Sequence, residues 1–372
     1  MFRVVFSNHI NQFGVFAMKM KTILPFGIKY TPMEKLALIN FERLPDSIYK
    51  GLELQYLNGD KVGKGYRVLA YRNDGYVDMY DDLSLKFDPN EQCNVAEKGL
   101  NRHLQTNIAN AVFEKVDGCV QISFDFEDLE KRMIHVFIKE LRKKKSTPMN
   151  LLAPIGSGSE KPSCLPIFFL YNFDFIRRRK TIVDIRFNET ALKLDPFPFP
   201  FPMNGQLRYY SRYTMESQII EFIPLDSHVK EIELNEQMQY FEQGIKYNYV
   251  KTANGIGLSQ IELLQSKKVV INFSPAFVMN NQSGEFSICP SEEMGHIDGI
   301  YQVKRNGDRV DISLIPNKGW TSNPYTLITK LILSPKSIFC NWCKHYQYSS
   351  VVDLTKMSAN AKWMNRNQRN HT

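Results

Sequence analysis

Cys119 to Phe126 constrains the fold of this chain more than any other stretch. Val120, Ile122, Phe124 and Phe126 alternate without a break against Gln121, Ser123, Asp125 and Glu127. That period of two suits an extended strand with one covered face and one wet face. Ile108 to Val116 comes before it, and Asp117-Gly118 joins the two runs. Asp-Gly between β-rich runs specifies a tight hairpin, because both residues accept the positive φ of a type I′ turn. The same chemistry recurs at Asn73-Asp74-Gly75, between Gly65 to Arg72 and Tyr76 to Tyr80. It recurs again at Asn306-Gly307, between His296 to Lys304 and Arg309 to Ile315.

Leu165 to Phe175 is apolar on both faces, which predicts a strand covered on both sides, as in a barrel wall or the middle of a sandwich. A basic turn, Arg177-Arg178-Arg179-Lys180, leads from it into a second strand at Thr181 to Phe187. Pro196 to Pro202 alternates Pro with Phe, cannot donate ladder hydrogen bonds, and is expected to run extended over a rim. Further strands are expected at Gly51 to Leu57, Arg132 to Leu141, Gln206 to Thr214, Ser217 to Ile223, Lys230 to Leu234, Tyr240 to Val250, Leu258 to Leu264, Lys267 to Phe273, Gly284 to Ile288, Tyr325 to Leu333 and Tyr346 to Leu354. Asn94 to Gln105 is the one helix candidate of the first half, with Asn94 as N-cap and Gly99 against it. Strands do not alternate with long helices, so parallel α/β folds are disfavoured.

The fold class that follows is all-β: two antiparallel barrel- or sandwich-like modules. An irregular N-terminal segment, 1–40, precedes a first module at 41–224 and a second at 228–372, joined near Pro224-Leu225-Asp226-Ser227. A chain of 372 residues buries a full core without staples. An aromatic content of 12%, with 25 Phe and 18 Tyr, adds to the strand propensity. Six cysteines in so long a chain do not make a disulfide framework, and a reduced compartment is expected. No run reaches the roughly 20 apolar residues of a spanning helix. The N-terminal residues lack a continuous apolar h-region, with Met1, Met18 and Met20 as alternative starts, so the expected location is cytoplasmic. A net charge of +8 is too dilute over this length to indicate nucleic acid.

Motif chemistry narrows the field mostly by exclusion. Cys340-Asn341-Trp342-Cys343-Lys344-His345 has Lys where haem attachment needs His, and only Cys289 and His296 could complete a zinc quartet. Gly156-Ser157-Gly158-Ser159-Glu160-Lys161 lacks P-loop spacing and runs into Pro162, so it reads as a loop over a barrel mouth. No metal and no cofactor is expected. Strand parity supplies the one constellation that could orient a ligand. Asn172 and Asp174 fall on one face with Phe168 and Leu170, while Arg208, Tyr210 and Arg212 share a face of the Gln206 to Thr214 run. Polar groups entering apolar strands need partners when buried, so Asp174 is expected to meet an arginine or a tyrosine.

The hairpin from Gly299 to Trp320 has a Gly-x-Tyr-x-Val strand, an Asn-Gly turn, a return strand and Pro316-Asn317-Lys318-Gly319-Trp320. With the order of hairpins before it, it resembles the tandem lipocalin-like proteins that include carotenoid hydratases (hydroxyneurosporene synthase-like). That resemblance implies two β-barrel modules packed together and an isoprenoid or other apolar ligand. Three function classes remain. The first is a protein binding an apolar or aromatic small molecule through Asn172, Asp174, Arg208, Tyr210, Arg212 and Trp320. The second is a cofactor-free lyase or isomerase on such a molecule, and the third is a structural or partner-binding β protein with a filled interior.

Overall fold

The computed structural model describes residues 20–42, 46–90, 98–141, 149–153, 159, 161–177, 179–195, 211–264, 269–291, 293–323, 327–334 and 339–366. The chain is nearly all β. Its first strands are β1 (Met20–Ile23), β2 (Gly27–Thr31), β3 (Met33–Asn40), β4 (Tyr49–Gly59), β5 (Gly63–Arg72), β6 (Val77–Asp82) and β7 (Leu100–Thr106). Next come β8 (Ala109–Val116), β9 (Cys119–Glu127), β10 (Met133–Glu140), β11 (Met149–Ala153), β12 (Leu165–Phe175), β13 (Thr181–Phe187) and β14 (Thr190–Leu192). Then follow β15 (Arg212–Thr214), β16 (Glu216–Ile223), β17 (Glu231–Leu234), β18 (Gln239–Glu242), β19 (Ile245–Thr252), β20 (Gly255–Leu263) and β21 (Val269–Phe277). β22 (Gln282–Ser291), β23 (Gly295–Asn306), β24 (Arg309–Thr321), helix α1 (Leu327–Ile332), β25 (Tyr346–Asp353) and β26 (Ser358–Asn365) complete the order.

These strands form four sheets. A five-stranded sheet runs β14-β13-β10-β9-β8, and a ten-stranded sheet runs β2-β16-β12-β15-β3-β4-β5-β6-β7 with β11 also on β12. A nine-stranded meander runs β18 to β26 in strict chain order and curves as an open half-barrel, while β1 pairs only with β17. All pairings are antiparallel except β6 with β7.

Two large cores divide the work, and the ten-stranded sheet serves both. One core lies between the five-stranded sheet and β3 to β6, where Leu52, Leu54, Val68 and Ala70 meet Phe124, Phe126, Val136 and Ile138. The other lies inside the half-barrel and is closed by Phe26, by β12 and by β16, so it takes residues from both sides of Pro224 to Ser227. β12 packs into the half-barrel core, and Ile176, just past its end, enters the first core. Leu165 to Tyr171 are all buried, facing β16 on one edge and β11 on the other, while Asp174 and Phe175 pair with β15 instead. The change of partner falls at Asn172, which has φ of +50° and is exposed. Asn tolerates this left-handed conformation better than the Phe and Leu around it.

The strongest sequence signals are matched closely. β9 buries Val120, Ile122 and Phe124 at 0% exposure, and the turn before it has φ of +49° at Asp117 and +78° at Gly118. Three expectations need correction. Leu100–Thr106 is a strand, not the end of a helix, because parallel pairing with β6 outweighs weak helical propensity; residues 91–97 lie outside the described residues. Leu327–Ile332 is helical, not extended. Tyr240 to Val250 is a hairpin, turning at Gln243 (φ +52°) and Gly244 (φ +77°). Within the expected irregular segment, residues 20–40 form β1, β2 and β3.

Candidate functional site

Arg208 and Tyr210 lie outside the described residues, as do Arg142 to Lys145 and Pro196 to Pro202. Asp174 and Arg212 stand on adjacent strands but on opposite faces of the sheet. Asp174 is paired with Tyr213, whereas Arg212 is paired with Phe175. Asp174 is buried at the edge of the first core, where its Oδ1 accepts from its neighbour's amide, Phe175 N, at 2.8 Å, with Arg177 Nη2 at 3.9 Å. Burial, reinforced by the charges of Glu140 and Asp174, raises the Tyr213 phenol far above its ordinary value. Arg212 lies on the other face, with its guanidinium 6.0 Å from the centre of the Phe173 ring. Asn172 reaches solvent, so the expected row of Asn172 and Asp174 is broken by the left-handed residue itself. The tell-tale was an Asn inside an apolar run.

Trp320 belongs to the interior of the half-barrel. It is 1% exposed, and its Nε1 donates to the Met294 carbonyl at 2.9 Å. That interior carries most of the aromatic load. Phe26, fully buried, sits at its centre within 6 Å, centroid to centroid, of Phe222, Phe273, Phe277 and Tyr348. It is delivered there by the β1–β17 pairing and by the Leu24 amide, which donates to the Lys230 carbonyl. Along β25 and β26 the inner face is set by period two: Tyr346, Tyr348, Ser350 and Val352 are buried, and Trp363 is registered opposite Tyr348.

Trp363 is boxed by aromatic rings. Tyr348 is at 5.4 Å, Phe222 at 5.7 Å and Tyr346 at 6.2 Å, each at a steep angle to the indole. Such tilted contacts are the favoured geometry of aromatic pairs. Its indole differs from that of Trp320 in one respect. Trp363 Nε1 is buried and has no hydrogen-bond partner among the described residues, and the same holds for Trp342 Nε1. A buried donor left unpaired costs about 1–3 kcal/mol, so native interiors rarely keep one without a use. Burial pushes the Tyr348 phenol up to about 12, so at neutral pH it stays neutral. The wall is therefore aromatic, uncharged and supplied with donors. It suits an apolar molecule that carries an acceptor oxygen.

The sequence reading missed Trp363, Trp342 and Phe26. Ala359, Ala361 and Trp363 do alternate, but Asn360 and Lys362 make the run look like a polar tail. Phe26 sits between Pro25 and Gly27 and carried no periodic signal at all. No group of three or more His, Cys, Asp or Glu among the described residues stands where it could hold a metal ion. Among the described residues, Cys119, Cys164, Cys289, Cys340 and Cys343 form no disulfide. No helix among the described residues is long and apolar enough to cross a membrane. No protein-family model, no curated protein and no solved structure matches the chain.

Proposed function

We propose that this is a binding protein for an apolar or aromatic small molecule of lipid or isoprenoid type, held in the half-barrel interior and oriented by the Trp363 indole N–H. The observation that carries the reading is an unspent, buried hydrogen-bond donor inside an aromatic box. Such a pocket needs few polar groups, because the apolar body supplies affinity and the donor fixes direction. The reading extends to the architecture: the half-barrel and the sheet pair of the first core would be two lipocalin-like modules sharing one sheet.

A second reading has its own observation. Phe26 fills the centre of the half-barrel with four ring contacts, as a structural β protein with a closed interior would require. Titration with cis-parinaric acid, a fluorescent polyene carrying one carboxylate, separates the two. Saturable enhancement at one site, weakened at least tenfold in Trp363→Phe, is expected for the binding protein. No saturable enhancement in the wild type, or an affinity unchanged by the substitution, would overturn the assignment.

A further inference from the structure

Another unspent polar atom lies on the ten-stranded sheet, on the face turned away from the five-stranded sheet. The parallel pairing of β6 with β7 puts His103 beside Met79, and Asp81 stands opposite Arg67 across β5 and β6. Arg67 holds both oxygens of Asp81, with Nε 2.5 Å from Oδ1 and Nη2 2.9 Å from Oδ2, a bidentate clamp. His103 Nε2 lies 2.8 Å from Asp81 Oδ2. Burial alone would raise the Asp81 carboxyl, but the hydrogen bonds from His103 and Arg67 outweigh it and hold the group below its ordinary value. An ionised carboxylate only accepts, so Nε2 carries the proton, and in the neutral tautomer that this selects Nδ1 keeps a lone pair.

That lone pair has nothing to accept from. The His103 side chain is 5% exposed, and Nδ1 is buried without a hydrogen-bond partner among the described residues. The ring above it is Phe87, 4.5 Å away centroid to centroid and tilted by 43°, and Phe87 itself is 40% exposed. On the same face, beside the Arg67–Asp81 pair, Met79, in register with His103, and Leu69 belong to a small buried apolar cluster. An oriented acceptor, a neighbouring apolar cluster and a surface aromatic ring together match a flat molecule with one O–H.

From these groups we infer that His103 is the acceptor of a second small-molecule site, which takes a neutral phenol: its ring packs against Phe87 and its hydroxyl donates to Nδ1. The site is independent of the half-barrel interior. p-Nitrophenol, used at a pH below its own ionisation so that it keeps its O–H, and its methyl ether p-nitroanisole form a matched pair of probes, since only the first has the O–H. In equilibrium dialysis the wild type is expected to hold p-nitrophenol at least tenfold more tightly than p-nitroanisole. His103→Phe should erase that preference, while Trp363→Phe should leave it intact. Phe87→Ala, at an exposed ring, should weaken both probes alike. Imidazole ¹⁵N spectra of the wild type need no variant: p-nitrophenol should shift the unprotonated Nδ1 resonance of His103, and p-nitroanisole should not. Equal binding of the two probes, a preference that survives in folded His103→Phe, or an unmoved Nδ1 resonance at saturation would each overturn the assignment.

Discussion

Trp320 and Trp363 are equally deep in the half-barrel and differ in one hydrogen bond, which makes them a controlled pair. Trp320→Phe removes the hydrogen bond to the Met294 carbonyl, whereas Trp363→Phe removes a donor with no partner among the described residues. The first is expected to cost about 1 kcal/mol more than the second in urea unfolding, beyond the shared loss of packing. Glu53 offers a pH test. Burial raises its carboxyl, against hydrogen bonds from Gln55 and Tyr71 and the charge of Arg212. A raised folded value means that the ionised group subtracts from stability at neutral pH. The penalty fades as pH falls through the folded value towards the unfolded one, near 4.3. Glu53→Gln is therefore expected to stabilise by on the order of 1 kcal/mol at pH 7, with the gain gone by about pH 4. A variant equally stable or less stable at pH 7 would contradict this sign. Neither Glu53 nor His103 was legible as a site in the sequence. Each is a single polar residue in a strand, and its meaning comes from neighbours on strands far along the chain.

At the scale of elements, the turns carried the most information. Asp117-Gly118 and the alternation after it were readable because local chemistry and tertiary burial demand the same conformation. Gly118→Ala, at φ of +78°, is expected to lower stability by about 1 kcal/mol or more, read from the urea midpoint. The Gln243-Gly244 turn was missed because Gln is not a residue that favours positive φ, so one long strand was read where two exist. β7 was missed for a different reason. Its residues are half polar, and only the edge of β6 makes them a strand. The aromatic run of β12 was read correctly as doubly covered. Its parity was not, since one residue at φ of +50° shifts every side chain after it to the other face.

At the scale of the whole molecule, one sheet is shared by two cores; the first core takes its residues from the first half of the chain alone, whereas the half-barrel needs both halves to close its interior. Phe26, Phe222 and β12 come from the first part of the chain and pack on Phe273, Phe277 and Tyr348 of the half-barrel. Phe26→Ala is expected to destabilise by about 3–5 kcal/mol, as for other large buried aromatics. A fragment comprising 228–372 is expected to fail to fold when made alone, and a sharp, cooperative unfolding transition from it would contradict the shared core. The most direct test of the central claim uses the three indoles as reporters. In a ¹H–¹⁵N spectrum, adding cis-parinaric acid should move the Trp363 Hε1 resonance downfield as its free donor gains an acceptor. The Trp320 resonance, already bonded to Met294, should stay in place. An unmoved Trp363 signal at saturating ligand would contradict the binding-site assignment and leave the interior a closed core.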